Sequence, residues 1–212
     1  MKAFIFDMDG VLVDTQAIHS QSTARALQEF GVPCTLEEAV SFAGTKRGVG
    51  IASIIKKNHS SADVEMVCQR KDDIFMERIH QMRLEPIEGI PALLKSLHFH
   101  GIHTAIASSS TDDFIAYIVD QLQIRSYFEE LISGQNLPKS KPDPAVYLLA
   151  ARRLGVKPRD CVVLEDACLG VQAAKAAGMY CIGYRNLNSG QQDLSKADRI
   201  VEHISEIDPE AL

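Results

Sequence analysis

Tryptophan is absent from the 212 residues, and aromatic residues of all kinds make up only 6%. The chain carries no basic run and has a formal net charge of -6. With little to stack bases on and no cationic stripe to follow a phosphate backbone, nucleic acid is excluded as an expected partner. A small anionic ligand needs only a local basic pocket and is not excluded. No apolar stretch reaches the roughly 18 residues that a membrane-spanning helix needs, and the first residues read as a strand instead of a secretion signal. The expectation is a soluble, cytoplasmic protein without a membrane partner, monomeric or at most weakly self-associating. Five cysteines, at 34, 68, 161, 168 and 181, are odd in number and include no C-x-x-C pair, which fits reduced core thiols better than disulfides or a zinc site.

What is present is a hydrophobic content of 46% beside 24% charged residues, the balance of a globular chain. Residues 2–6, Lys-Ala-Phe-Ile-Phe, form a short apolar run that stops at acids, as a strand buried on both faces of a parallel sheet does. Similar runs recur at 104–107, 161–164 and 181–184, with a weaker one at 131–132. Helical patterns near 90–100, 112–123, 144–154 and 169–177 separate them. Strand and helix in alternation predict an α/β fold with a Rossmann-like parallel sheet core. Residues 15–83 break that rhythm, reading as helices near 17–30, 36–43, 48–57 and 62–83, the last with an apolar stripe at Val64, Val67, Cys68, Phe75, Ile79 and Met82. The expected division is a core of 1–14 and 84–212 and an inserted α-helical cap domain of 15–83. The insertion starts where open α/β sheets place their ligands, beyond the carboxyl end of a strand, so the cap is expected to stand over the site.

The chemistry-bearing residues fall at strand ends. Asp7 and Asp9, two apart after the first strand, point to one side if the chain stays extended. A polar turn would explain them equally well. Glu165 and Asp166 close the strand 161–164 in the same way. If the two strands are neighbours, four carboxylates converge, and each raises the pKa of the others unless a cation intervenes. Mg²⁺, a hard dication that takes oxygen ligands, fits that requirement. Lys141, in Lys139-Ser140-Lys141-Pro142-Asp143-Pro144, adds a positive charge on a segment stiffened by two prolines. Ser108-Ser109-Ser110-Thr111 ends a strand and opens a helix, a place for binding phosphate or simply for capping. His98, His100 and His103 invite a metal by spacing, but Gly101 stops a helix between them and turns them apart.

Together, Phe6-Asp7-Met8-Asp9-Gly10-Val11, Ser108, Lys141 in Lys-Pro-Asp-Pro, and Glu165-Asp166 resemble the four motifs of the haloacid dehalogenase superfamily, and within it the β-phosphoglucomutase-like phosphatases and phosphomutases. The resemblance covers essentially the whole chain. It implies Asp7 as nucleophile and Asp9 as general acid and base. Mg²⁺ would be held by Asp7, the Asp9 carbonyl and Asp166, with Glu165 as an outer or occasional ligand. Ser108 and Lys141 would hold the phosphate. Thr15 and His19 match cap-hinge positions, and Gly44-Thr45-Lys46-Arg47 resembles the substrate-specificity loop, with Arg47 meeting a sugar phosphate. Lys71 falls on the inward stripe of its helix, although its amine could equally reach out to water. Ser110, Thr111 and Asp112 stand where the mutases offer Ser, Lys and Asn, so Asp112 is expected to repel a second phosphate. The implied activity is Mg²⁺-dependent hydrolysis of a small phosphorylated metabolite, a sugar phosphate, through an aspartyl phosphate. The alternatives are a β-phosphoglucomutase-type phosphomutase and a non-catalytic protein that binds a phosphorylated ligand.

Overall fold

The computed structural model describes residues 1–42, 45 and 47–212. Six parallel strands form one sheet in the order β3-β2-β1-β4-β5-β6. They are β1 (Ala3–Phe6), β2 (His103–Ser108), β3 (Glu130–Ser133), β4 (Cys161–Glu165), β5 (Tyr180–Tyr184) and β6 (Arg199–Val201). Every residue of β1 is buried, as a central strand covered on both sides requires. Alternation sends its side chains to two cores. Phe4 and Phe6 join Ile106 and Leu164 on one face, under α5 (Ile90–Phe99) and α6 (Asp112–Gln121). Ala3 and Ile5 join Ala105 and Val163 on the other, under α7 (Ala145–Arg153) and α8 (Cys168–Ala176). Full burial of one such Phe contributes on the order of 2 kcal/mol.

The four helices between β1 and α5 form the helical cap of this α/β fold: α1 (Gln16–Glu29), α2 (Leu36–Val40), α3 (Val49–Lys57) and α4 (Val64–Gln81). They share a separate core that includes Leu27, Ile54, Val67, Cys68 and Ile74. Farther along α4, Phe75 and Ile79 pack instead into the core on the sheet. This helix therefore reaches from cap to sheet. Asp63 starts it by accepting the Met66 N–H at 2.9 Å. Thr35 and Glu38 form a reciprocal capping box that starts α2. Met82, expected on the α4 stripe, lies beyond the helix end in extended backbone and is 49% exposed.

All five expected strands are present, and the expected helices begin and end within three residues of those observed. The residues 36–43 pattern yields a helix only to Val40, and residue 43 lies outside the described residues. The sixth strand, β6, is an addition. No helix among the described residues is long and apolar enough to cross a membrane. The five cysteines are free, and all but Cys168 are buried.

Candidate active site

β1 lies between β2 and β4, with Phe6 in register with Ile106 and Leu164. The carboxyl ends of these three strands thus bring Asp7, Ser108 and Glu165 together. The Asp7 N–H continues the ladder by donating to the Leu164 carbonyl at 3.0 Å. Gly10 then turns the chain at φ 87°, and a Cβ there would lie 2.0 Å from Asp166 Oδ2. Only glycine supplies both the dihedral and the space. Gly170, within α8, leaves room for Glu165, whose Oε1 lies 1.6 Å from where a Cβ would be.

Lys141 enters this acidic floor from the loop before α7. Its ammonium donates to Asp7 Oδ1 at 2.7 Å, to Glu165 Oε1 at 2.6 Å and to the Ala107 carbonyl at 3.3 Å. Burial works against its charge, but Asp7 and Glu165 outweigh that and raise its pKa. Asp7 is pushed up to about 7, by burial first and by Glu165 and Asp9 after it, with Lys141 opposing. Asp166 is raised well above the usual carboxylate range by burial, Glu165 and Asp7.

Asp7, Glu165 and Asp166 offer oxygens within 4.8 Å of one another, so they are close enough to share a metal ion. Asp166 Oδ1 is buried without a hydrogen-bond partner. An unpaired buried carboxylate oxygen beside two other acids fits a hard divalent cation. The trio is not equivalent, however. Glu165 already receives Lys141 and the Tyr147 hydroxyl (2.7 Å) on Oε1, and the Asp166 and Ala167 N–H groups (2.9 and 3.0 Å) on Oε2. With both oxygens so engaged, it anchors Lys141 and leaves Asp7 and Asp166 as the better ligands.

Asp9 sits above the floor in a cage of donors. Thr15 Oγ1 donates to its Oδ1 at 2.5 Å and Ser110 Oγ to its Oδ2 at 2.8 Å, while His19 Nε2 lies 3.5 Å from Oδ1. Burial alone would raise the Asp9 pKa, but His19, Thr15 and Ser110 outweigh it and hold the pKa below its usual value. The His19 pKa is lowered, by burial and then by the Lys71 charge. With the Lys71 ammonium 3.1 Å from Nδ1, the ring proton is assigned to Nε2, facing Asp9. The ring stacks on Phe75, 4.0 Å between centroids.

Asp7, Asp9, His19, Arg47, Lys71, Ser108, Ser110, Lys141, Glu165 and Asp166 all line one cavity of about 490 Å³ between sheet and cap. Thr15 is fully buried and reaches the cavity through Asp9. Ser108 Oγ accepts the Ser110 N–H at 3.1 Å, and Thr111 caps α6 by accepting the Phe114 N–H, also at 3.1 Å. Lys71 points inward, only 17% exposed. In the loop 44–47, Gly44 and Lys46 lie outside the described residues. Asp112 is not among the lining residues; it sits exposed in the first turn of α6, so the expectation that it repels a ligand's second phosphate is corrected. The three histidines diverge. His98 packs edge-on to Tyr127, while His100 faces Glu210 and His103 faces Glu129.

Sequence reasoning missed the residues that hold the site from behind. Tyr147 is one. Ser189 donates to Asp166 Oδ2, Asn186 donates to the Gly10 carbonyl at 2.9 Å, and Gln16 donates to the Asp9 carbonyl at 3.2 Å. Asn186 and Ser189 follow β5 at its carboxyl end, the one signal that could have singled them out. Asp72 was missed as well. It accepts Arg47 Nε at 3.0 Å and Lys71 Nζ at 3.2 Å.

A doubly covered parallel sheet, a buried acidic floor with one lysine, and a helical cap over both define an α/β hydrolase-type core whose acids are close enough to share a metal ion. The sequence model of the haloacid dehalogenase-like hydrolases matches residues 4–184, and the chain belongs to that family. It is 30% identical over 184 residues to the fructose-1-phosphate phosphatase YqaB of Escherichia coli (strain K12), covering 86% of this chain and 96% of that one. It is 32% identical over 218 residues to the β-phosphoglucomutase of Bacillus subtilis (strain 168), covering 100% and 94%. A solved structure of β-phosphoglucomutase from Clostridium difficile shares the fold, with a TM-score of 0.85 and 24% identity over 100% of this chain and 95% of that one.

Proposed function

We propose that the protein is a Mg²⁺-dependent phosphatase that hydrolyses a small phosphorylated metabolite of the sugar-phosphate class through an aspartyl phosphate on Asp7. The observation that carries this reading is the placement of Asp7: a carboxylate on the cavity floor, salt-bridged to Lys141 and facing Asp9. Asp7 attacks the phosphorus in line, splitting one displacement into two. Lys141, released in part from Asp7 as that carboxylate gives up its charge, holds a phosphoryl oxygen. The Ser108 hydroxyl and the backbone N–H groups that open α6 hold others. Asp7, Asp166 and the Asp9 carbonyl would hold Mg²⁺, which when bound neutralises charge shared between the acids and the phosphate.

Asp9 handles the proton. In its cage it is a carboxylate, the form that accepts a proton from the attacking water in the second displacement. A dianionic phosphate entering beside it raises its pKa, so that it takes up a proton from solvent and gives it to the leaving alcohol in the first. Thr15, His19 and Ser110 set its orientation and its resting charge.

The full-length likeness to a β-phosphoglucomutase favours a second reading, in which a sugar hydroxyl in place of water takes the phosphoryl group from Asp7. The mutase has to hold a second phosphate at the cap, where the lining cations Arg47 and Lys71 are already paired with acids, which supports hydrolysis. The test is a panel of sugar phosphates with Mg²⁺. Release of inorganic phosphate, abolished in Asp7→Asn, is expected. Interconversion of β-glucose 1-phosphate and glucose 6-phosphate without net release would replace this reading with the mutase. Ligand binding without turnover, unchanged in Asp7→Asn, would leave a binding protein.

A further inference from the structure

The cap side of the cavity carries three charged lining residues among those described: Arg47, Lys71 and Asp72. Two cations over a phosphate site would suit a ligand with a second anionic group. Here they are already satisfied. Asp72 lies between them, taking Arg47 Nε on Oδ2 at 3.0 Å and Lys71 Nζ on Oδ1 at 3.2 Å. Glu65 holds Arg47 Nη1 with both oxygens, at 3.0 and 2.9 Å. Lys71 Nζ also lies 3.1 Å from His19 Nδ1 and over the Phe75 ring, 5.1 Å from its centroid. Two positive charges thus face two negative ones. Beside them, Phe42, Ile51 and Met76 of the cap and Phe114 of α6 give the same cavity an apolar stretch. The Phe42 ring is seated over Gly50, where a Cβ would lie 2.6 Å from it.

We propose that Asp72 is a specificity-determining residue that selects, for the phosphatase reaction on which this inference rests, monophosphate esters whose far end is uncharged. A second phosphate reaching the cap has to displace Asp72 or Glu65 from their cations, or sit against the Asp72 carboxylate. Either alternative costs Coulomb energy that a hydroxyl end does not incur. A neutral polyol end meets instead carboxylate and guanidinium groups that accept and donate hydrogen bonds, next to an apolar wall that suits the carbon skeleton. Selection by repulsion of the wrong ligand is a general route to specificity. Asp72, not Asp112, is the acid placed to exert it.

The experiment compares kcat/KM for the best monophosphate of the panel with that for its bisphosphate counterpart, fructose 1-phosphate against fructose 1,6-bisphosphate being the first pair. The wild type is expected to prefer the monophosphate. Asp72→Asn is expected to raise the bisphosphate-to-monophosphate ratio by roughly tenfold at low salt, with the gain shrinking as ionic strength rises. Glu65→Gln, farther out and with Asp72 still in place, is expected to raise it by roughly threefold. Both positions are substantially exposed, 43% and 62%, so neither change threatens the fold. A general structural role would alter both substrates alike and leave the ratio and its salt dependence unmoved. If monophosphates are hydrolysed and the ratio is unchanged in both variants, or the wild type prefers the bisphosphate, this proposal fails alone. If no ester in the panel is hydrolysed, the phosphatase reading has failed and takes the proposal with it.

Discussion

Asp166→Asn perturbs the acidic floor at its least compensated atom. In metal-free protein, Asp7 and Asp166 both bind protons more tightly folded than unfolded, because burial and mutual repulsion raise their pKa values. Stability from such groups is greatest below the unfolded pKa and falls as pH rises toward the folded one. For Asp7, the rise from 3.8 to about 7 corresponds to a loss on the order of 4 kcal/mol across that window. Asparagine at 166 removes one of the charges. Its oxygen can still accept the Ser189 hydroxyl, and its amide can donate toward Asp7 and Glu165 from the side where Oδ1 now has no partner. Above neutrality, with a chelator present, Asp166→Asn is expected to be more stable than wild type by roughly 1–3 kcal/mol. For a chain of this size that is an increase of about 3–9 °C in Tm. Adding Mg²⁺ should raise the wild-type Tm and barely move the variant, since the ion loses an anionic ligand. Thermal denaturation with and without Mg²⁺ measures all four values. A variant that melts below wild type in chelator, or gains as much from Mg²⁺, would refute the reasoning.

Two further changes probe the upper and lower parts of the site. In His19→Ala, Asp9 loses a hydrogen bond that helps hold its pKa down, so the alkaline limb of the kcat/KM profile, which reports Asp9 as the acid of the first displacement, should move to higher pH, and an unmoved limb would show that His19 does not tune Asp9. In Gly10→Ala, the new methyl meets Asp166 and the φ of 87° becomes strained, so the fold should lose at least about 1–3 kcal/mol in denaturant unfolding, with Mg²⁺ binding weakened; a fully stable, Mg²⁺-binding variant would contradict the close approach.

The sheet was readable because its central strands are buried on both faces and so appear as short apolar runs, two of which, β1 and β4, end in acids. β6 was not, because an edge strand of three residues beginning with Arg199 and half-exposing Ile200 has no such run. The floor residues Asp7, Ser108, Glu165 and Lys141 announce themselves by their place at strand ends or between prolines. Residues that hold others carry no such mark. Tyr147 looks like any inward residue of α7 until the partner of its hydroxyl is known, and Gln16 reads as the polar start of a helix. The charge at the cap was misplaced for a related reason. Sequence position puts Asp112 beside the phosphate-binding serines, yet the first turn of α6 carries it outward, while Asp72 is brought in by α4 packing across the cap, 25 residues from Arg47.

The central claim is that the phosphoryl group passes through Asp7. It is tested most directly by the steric course of hydrolysis, using an ester of the panel made chiral at phosphorus with oxygen isotopes. Two successive in-line displacements, first by Asp7 and then by water, predict release of phosphate with retention of configuration. Inversion would mean that water attacks the ester directly and that Asp7 is not the nucleophile.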